Sequence, residues 1–149
     1  MADAPLPQPA GACGGGGCAA ILDTGTSLIT GPSAAVASLA AAVGEVAADC
    51  SNLGALPALS FVLGGRPFAL APRQYVLNVT SADADGGDGG DDGAGAGVGA
   101  LLRLRQRLLR LVAAGGSACM LAVQPLDLRG APGTWILGDP FLRAWDSYY

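Results

Sequence analysis

Residues 19–32 read AAILDTGTSLITGP. The apolar run Ala19 to Leu22 reads as a short buried strand, and a carboxylate follows it at once. Asp23 is trailed by Thr24, Gly25, Thr26 and Ser27, all small and most of them hydroxylated. Such a residue either closes a local turn through its own carboxylate or is held rigidly at the end of a strand for chemistry. On the Asp-Thr-Gly tripeptide alone the two readings are about even, so the remainder of the chain has to decide.

Beyond this stretch, composition removes most chemistries. The 149 residues contain no histidine, so Ser–His–Asp and Cys–His catalysis and every His-bearing zinc site are excluded together. Net charge is −4 and all eight basic residues are arginine, which argues against a nucleic-acid partner. No apolar window approaches a membrane span, and MADAPLPQPAGAC at the start has neither the basic nor the hydrophobic region of a signal peptide. No cofactor and no metal is expected. Four cysteines fall at 13, 18, 50 and 119, too scattered for a four-thiolate zinc site. Disulfides fit better: a tight Cys13–Cys18 loop across GGGG and a long-range Cys50–Cys119 bridge. With the sequon Asn78-Val79-Thr80, a site for N-glycosylation, they indicate an oxidising, secretory compartment, vacuole- or lysosome-like or extracellular.

The order of elements is β-rich. Residues 1–11 are Pro/Ala/Gly-rich and expected to be loose, leaving 12–149 as the domain. The segment GPSAAVASLAAAVGEV predicts a helix, with Pro32 in its first turn, Val36, Leu39 and Val43 on one face, and Gly44 as its stop. ALSFVLGGRPFAL predicts two strands joined through Gly64-Gly65. Tyr75 to Val79 is a further extended run. Residues 81–117 break the pattern as an insert, first acidic and low in complexity, then amphipathic. Leu101, Leu104, Leu108 and Leu111 share one face running to Val112, and Arg103, Arg107 and Arg110 share another. Low-complexity expansion is the preferred reading of this insert; a basic amphipathic helix touching acidic membrane or a partner is the lesser one. CMLAVQPLDL and then GTWILGDPFLRAW restore strands, the last running into a turn at Gly138-Asp139-Pro140.

Three blocks in fixed order, AAILDTGTSLITGP, CSNLGALPALSFVLGGRPFALAPRQYVL and GTWILGDPFLRAW, resemble the C-terminal lobe of pepsin-like aspartic peptidases, over about residues 12–80 and 117–149. The resemblance implies a mainly β fold, one lobe of a bilobal, barrel-like architecture with one short helix after the catalytic loop. It implies that Asp23 is one of two catalytic aspartates, and that the hydroxyl of Thr24 bonds across to the partner lobe. Gly25 would let backbone approach the carboxylate, and Thr26, with Ser27 beside it, would support the carboxylate's outer oxygen. Ile136, Leu137 and Gly138 match the segment that packs beside the catalytic loop, and the two cysteine pairs match the disulfides usual in that lobe.

The implied activity is endopeptidase action at acid pH. Aspartic proteases are the standard example of two carboxylates sharing one proton because both cannot ionise together. This chain has a single Asp-Thr-Gly, so the second aspartate has to come from an N-terminal lobe of the same gene product or from a second copy of the chain. Without either, the lobe would be an inactive binding module. The sequence also stops where family members continue, so the lobe is expected to be truncated. The insert lacks the cysteines of the plant saposin-like insertion and lies at a different place.

Overall fold

The computed structural model describes residues 17–80, 106, 110, 112 and 114–145. The predicted Cys13, most of the 81–117 insert and the last four residues lie outside that set. Eight short strands carry the fold: β1 (Ala19–Leu22), β2 (Ile29–Gly31), β3 (Leu59–Leu63), β4 (Arg66–Leu70), β5 (Val76–Thr80), β6 (Ser117–Leu121), β7 (Val123–Pro125) and β8 (Thr134–Leu137). Fully described helices are α1 (Ser33–Val43), α2 (Pro72–Tyr75) and α3 (Asp139–Ala144), with a 3-10 turn at Leu53–Ala55; the described residues 106, 110 and 112 are also helical. The architecture is mainly β, as the sequence indicates, and among the described residues no sheet closes into a barrel.

The central sheet has four strands in the order β1-β8-β2-β7. β8 runs parallel to β1 from Ala19↔Thr134 to Leu22↔Leu137, and antiparallel to β2 through Ile29↔Leu137 and Thr30↔Ile136. β7 lies parallel to β2 on the other side. The two strands that bracket residues 23–28 therefore clasp β8 between them, although β8 follows more than a hundred residues later. β3 and β4 form an antiparallel hairpin whose turn is Gly64-Gly65 with φ of 56° and 78°. Both residues occupy left-handed backbone, which the two-residue hairpin turn requires and glycine adopts without penalty. β5 and β6 pair from Val76↔Leu121 to Thr80↔Ser117, with the insert as their connection. Ser117 is thus the first residue of a strand, where the insert gives way to β6.

α1 forms as the sequence predicts. Pro32 precedes its first turn, Val36 and Val43 are buried with Leu39 packed beside them, and Gly44 at φ 84° ends it. Its N-terminus is capped from far along the chain. Ser33 donates its backbone N–H (3.0 Å) and its hydroxyl (2.5 Å) to the two oxygens of Asp127 in the loop after β7. Two expectations need correction. A further helix, α3, follows Gly138 where the sequence predicts only a turn; Pro140 in its first turn and Asp139 at its positive end favour it. Tyr75 ends α2 instead of opening the next strand.

One core unites these elements. Ile29, Val36, Leu59, Leu70, Tyr75, Leu137 and Phe141 are all buried in it. Phe61 stands edge-on to Trp135 at 5.7 Å and to Phe141 at 5.9 Å between ring centres, an arrangement aromatic rings favour. The Tyr75 hydroxyl donates to the Pro57 carbonyl at 2.6 Å, and burial pushes its pKa up to about 12. Cys50 and Cys119 form the predicted long-range disulfide, and Cys18 is also disulfide-bonded. At the end of the insert, Val112 is buried against Val79, Ala118 and Met120, so this residue of the amphipathic segment faces protein. Gln106 and Arg110 are exposed, and the other residues of 101–112 lie outside the described set.

Candidate active site

Asp23 is the first residue after β1, and its backbone N–H donates to the Leu137 carbonyl of β8 at 3.2 Å. From there the chain turns sharply back to β2, with the Thr26 N–H directed to the Asp23 carbonyl at 3.4 Å. Inside this turn both oxygens of the Asp23 side chain are occupied. Gly25 donates its backbone N–H to Oδ1 at 2.9 Å, and the Thr26 hydroxyl donates to Oδ2 at 2.5 Å. Donors on a carboxylate favour the ionised form. The Thr26 hydroxyl first, and the Gly25 N–H second, hold the Asp23 carboxyl below the usual carboxylate range.

Two glycines make this geometry sterically feasible. A Cβ on Gly25 would stand 3.3 Å from Asp23 Oδ1, crowding the oxygen that its N–H must reach. Gly138 is more constrained. A Cβ there would lie 2.1 Å from the Thr26 carbonyl oxygen and 2.3 Å from that of Leu28, both backbone atoms of the Asp23 loop. The next residue, Asp139, donates its N–H to the same Thr26 carbonyl at 2.9 Å. The end of β8 and the start of α3 therefore form the floor on which the Asp23 loop rests. A third close approach, Gly31 beneath the Trp135 ring, locks β2 to β8; a Cβ would meet that ring at 2.4 Å.

Asp23, Gly25, Thr26, Leu137 and Gly138 are thus brought together, with Ile136 one step earlier on β8. Thr24 and Ser27 are exposed on the loop. Asn78 is exposed on β5, in a different sheet. Sequence reasoning did not single out Gly31 and Trp135, Leu28 or the Asp127–Ser33 cap. Only Gly31, a glycine inside a strand pattern, carried a signal of close backbone approach.

One feature of β1 departs from expectation. The strand was read as buried, yet all four residues are exposed, with Ile21 at 49% and Leu22 at 41%. The cause is position: among the described residues β1 is the outer strand of its sheet, with β8 as its neighbour.

A clasped strand pair thus presents Asp23, both carboxylate oxygens hydrogen-bonded, on an Asp-Thr-Gly turn. The family model described as eukaryotic aspartyl protease matches residues 10–86. The chain is 33% identical over 142 residues to cathepsin D of Chionodraco hamatus, covering 90% of this chain and 28% of that protein. Similar figures hold for cathepsin E of Oryctolagus cuniculus, 34% over 140 residues (89% and 27%), and napsin-A of Homo sapiens, 37% over 141 residues (89% and 26%). The chain belongs to the pepsin-like aspartyl protease family and spans little more than a quarter of the length of these relatives.

Proposed function

We propose that this chain is the C-terminal lobe of an aspartic endopeptidase and that Asp23 is one carboxylate of its catalytic dyad. The observation that carries this reading is the Asp23 carboxylate itself, which accepts from Gly25 and Thr26 on a loop seated against Gly138. With both oxygens receiving donors, Asp23 is predisposed to the ionised state, and a second carboxylate nearby would retain the shared proton. The ionised member takes a proton from water as the water oxygen attacks the peptide carbonyl. The protonated member hydrogen-bonds the developing oxyanion, and the amine departs protonated as the C–N bond breaks. Exposure of Thr24 next to Asp23 supports a role for its hydroxyl in bonding across to the lobe that supplies the second carboxylate.

That lobe precedes this chain in the same gene product. The exposed apolar side chains of β1 favour a covering partner on the Asp23 side of the sheet, because water contact with Ile21 and Leu22 is unfavourable. The substrate is a protein or peptide, and the Cys50–Cys119 disulfide fits synthesis in the secretory pathway. An antibody to residues 59–70 tests the reading: the native antigen should run well above the 14.6 kDa of this chain and co-purify with acid proteolysis. A native antigen of 14.6 kDa without proteolytic activity would overturn it.

A further inference from the structure

We propose that Asn78 carries an N-linked glycan, placed at the exposed end of β5 and in a different sheet from the peptidase site. Asn78-Val79-Thr80 occupies the last three residues of β5. Alternation along a strand puts Asn78 and Thr80 on one face and Val79 on the other. On the first face Val76 and Cys119 are buried, and the face opens toward the end of β5. Asn78 and Thr80 are exposed, as is Ser117 opposite Thr80, whereas Val79 turns inward onto Val112 and Ala118. The acceptor amide therefore points to water in the finished fold, and a sugar there displaces no packed side chain.

The register adds a constraint on timing. Asn78 lies opposite Cys119, whose sulfur is bonded to Cys50. Once β5 is laddered to β6, the sequon backbone is held in a sheet and cannot loop into a transferase. Attachment therefore precedes strand pairing and closure of the disulfide, in the compartment that the disulfide itself requires. In the transfer, the Asn78 side-chain nitrogen bonds to the anomeric carbon of a sugar presented as a lipid-linked pyrophosphoryl oligosaccharide. The sugar–phosphate bond breaks, the lipid pyrophosphate leaves with the electron pair, and the proton lost from nitrogen passes to the transferase.

The test is mass spectrometry of the native protein's peptide spanning Asn78, before and after peptide N-glycosidase. The expected result is a sugar-bearing peptide that the enzyme converts to one deamidated at residue 78. In the full-length protein expressed through a eukaryotic secretory pathway, Asn78→Gln and Thr80→Ala lose the glycan. Thr80→Ser, which keeps the hydroxyl, retains it, and Asn78→Gln leaves acid proteolysis unchanged. An unmodified peptide from the native protein overturns the proposal, as does a glycan that persists in Asn78→Gln. Loss of acid proteolysis in a folded, secreted Asn78→Gln would overturn the separation of the glycan from the catalytic face.

Discussion

Substitution of Gly138 by alanine adds a single methyl group, and the structure fixes what that group would meet. Its Cβ falls 2.1 Å from the Thr26 carbonyl oxygen and 2.3 Å from the Leu28 oxygen. Both are backbone atoms of the loop that carries Asp23, so no side-chain rotation relieves the contact. β8 is pinned between β1 and β2 and cannot retreat, and the Asp139 N–H to Thr26 bond at 2.9 Å holds the loop from the other direction. Relief requires lifting the loop off β8, which breaks that bond and tilts the Asp23 carboxylate. Overpacking typically costs about 1–3 kcal/mol. With rigid backbone on both sides, Gly138→Ala belongs at the upper end, about 3 kcal/mol.

For a urea dependence of about 2 kcal/mol per molar, that loss lowers the unfolding midpoint by about 1.5 M. Gly54→Ala is the matched control. A Cβ at Gly54 meets nothing within 4 Å, and its φ is not left-handed, so its stability should stay within about 0.5 kcal/mol of the parent, a midpoint shift of at most about 0.25 M. Urea unfolding of the full-length protein, followed by intrinsic Trp fluorescence, measures both, and acid proteolysis measures the loop. Gly138→Ala should lose stability and activity together. A Gly138→Ala protein with the parent's midpoint and parent activity would refute the placement of this glycine under the Asp23 loop.

Thr26→Val removes the hydroxyl bond to Asp23 Oδ2, so the Asp23 pKa should rise toward the ordinary carboxylate range, whereas Thr26→Ser should hold it low; carboxyl-carbon NMR titration reads the difference. The sign for stability follows. A depressed folded-state pKa contributes stability above the unfolded-state value and loses it as pH falls through the folded-state value, so in Thr26→Val this part of the acid sensitivity shrinks. Tyr75→Phe strands the Pro57 carbonyl that now accepts at 2.6 Å and should cost about 1–2 kcal/mol in urea unfolding with little effect on the Asp23 titration. The double change Cys50→Ala with Cys119→Ala opens a loop with a sequence separation of 69 residues. Chain entropy sets that loss at about 4 kcal/mol, measured against the oxidised parent by the same unfolding.

Much of this molecule is legible in the sequence because its signals are local. Pro32 and Gly44 bound α1, and Gly64-Gly65 sets a hairpin, because proline and glycine act on the backbone at their own positions. The Asp-Thr-Gly loop is legible for the same reason: its donors, Gly25 and Thr26, lie two and three residues from Asp23. What the sequence hides is which distant strand comes to lie beside which. The exposure of β1 follows from its place at the edge of a sheet, a fact of topology that an apolar run cannot encode. The cap on α1 is supplied by Asp127, 94 residues from Ser33, and no spacing rule reaches that far. Gly138 and Gly31 look like ordinary turn and strand glycines until folding brings backbone and a Trp ring against them.

In the proposed function the Asp23 carboxylate performs proton transfer in peptide hydrolysis. The most direct measurement is kcat/KM for a peptide substrate at acid pH, in the full-length parent and in Asp23→Asn, with folding of both verified by their unfolding midpoints. Asparagine keeps the shape: its Oδ1 can accept from Gly25 while its amide NH2 donates to the Thr26 hydroxyl, but it cannot ionise. The account predicts a loss of at least about 10²–10⁴-fold with the fold intact. A folded Asp23→Asn protein that cleaves at the parent rate would contradict it.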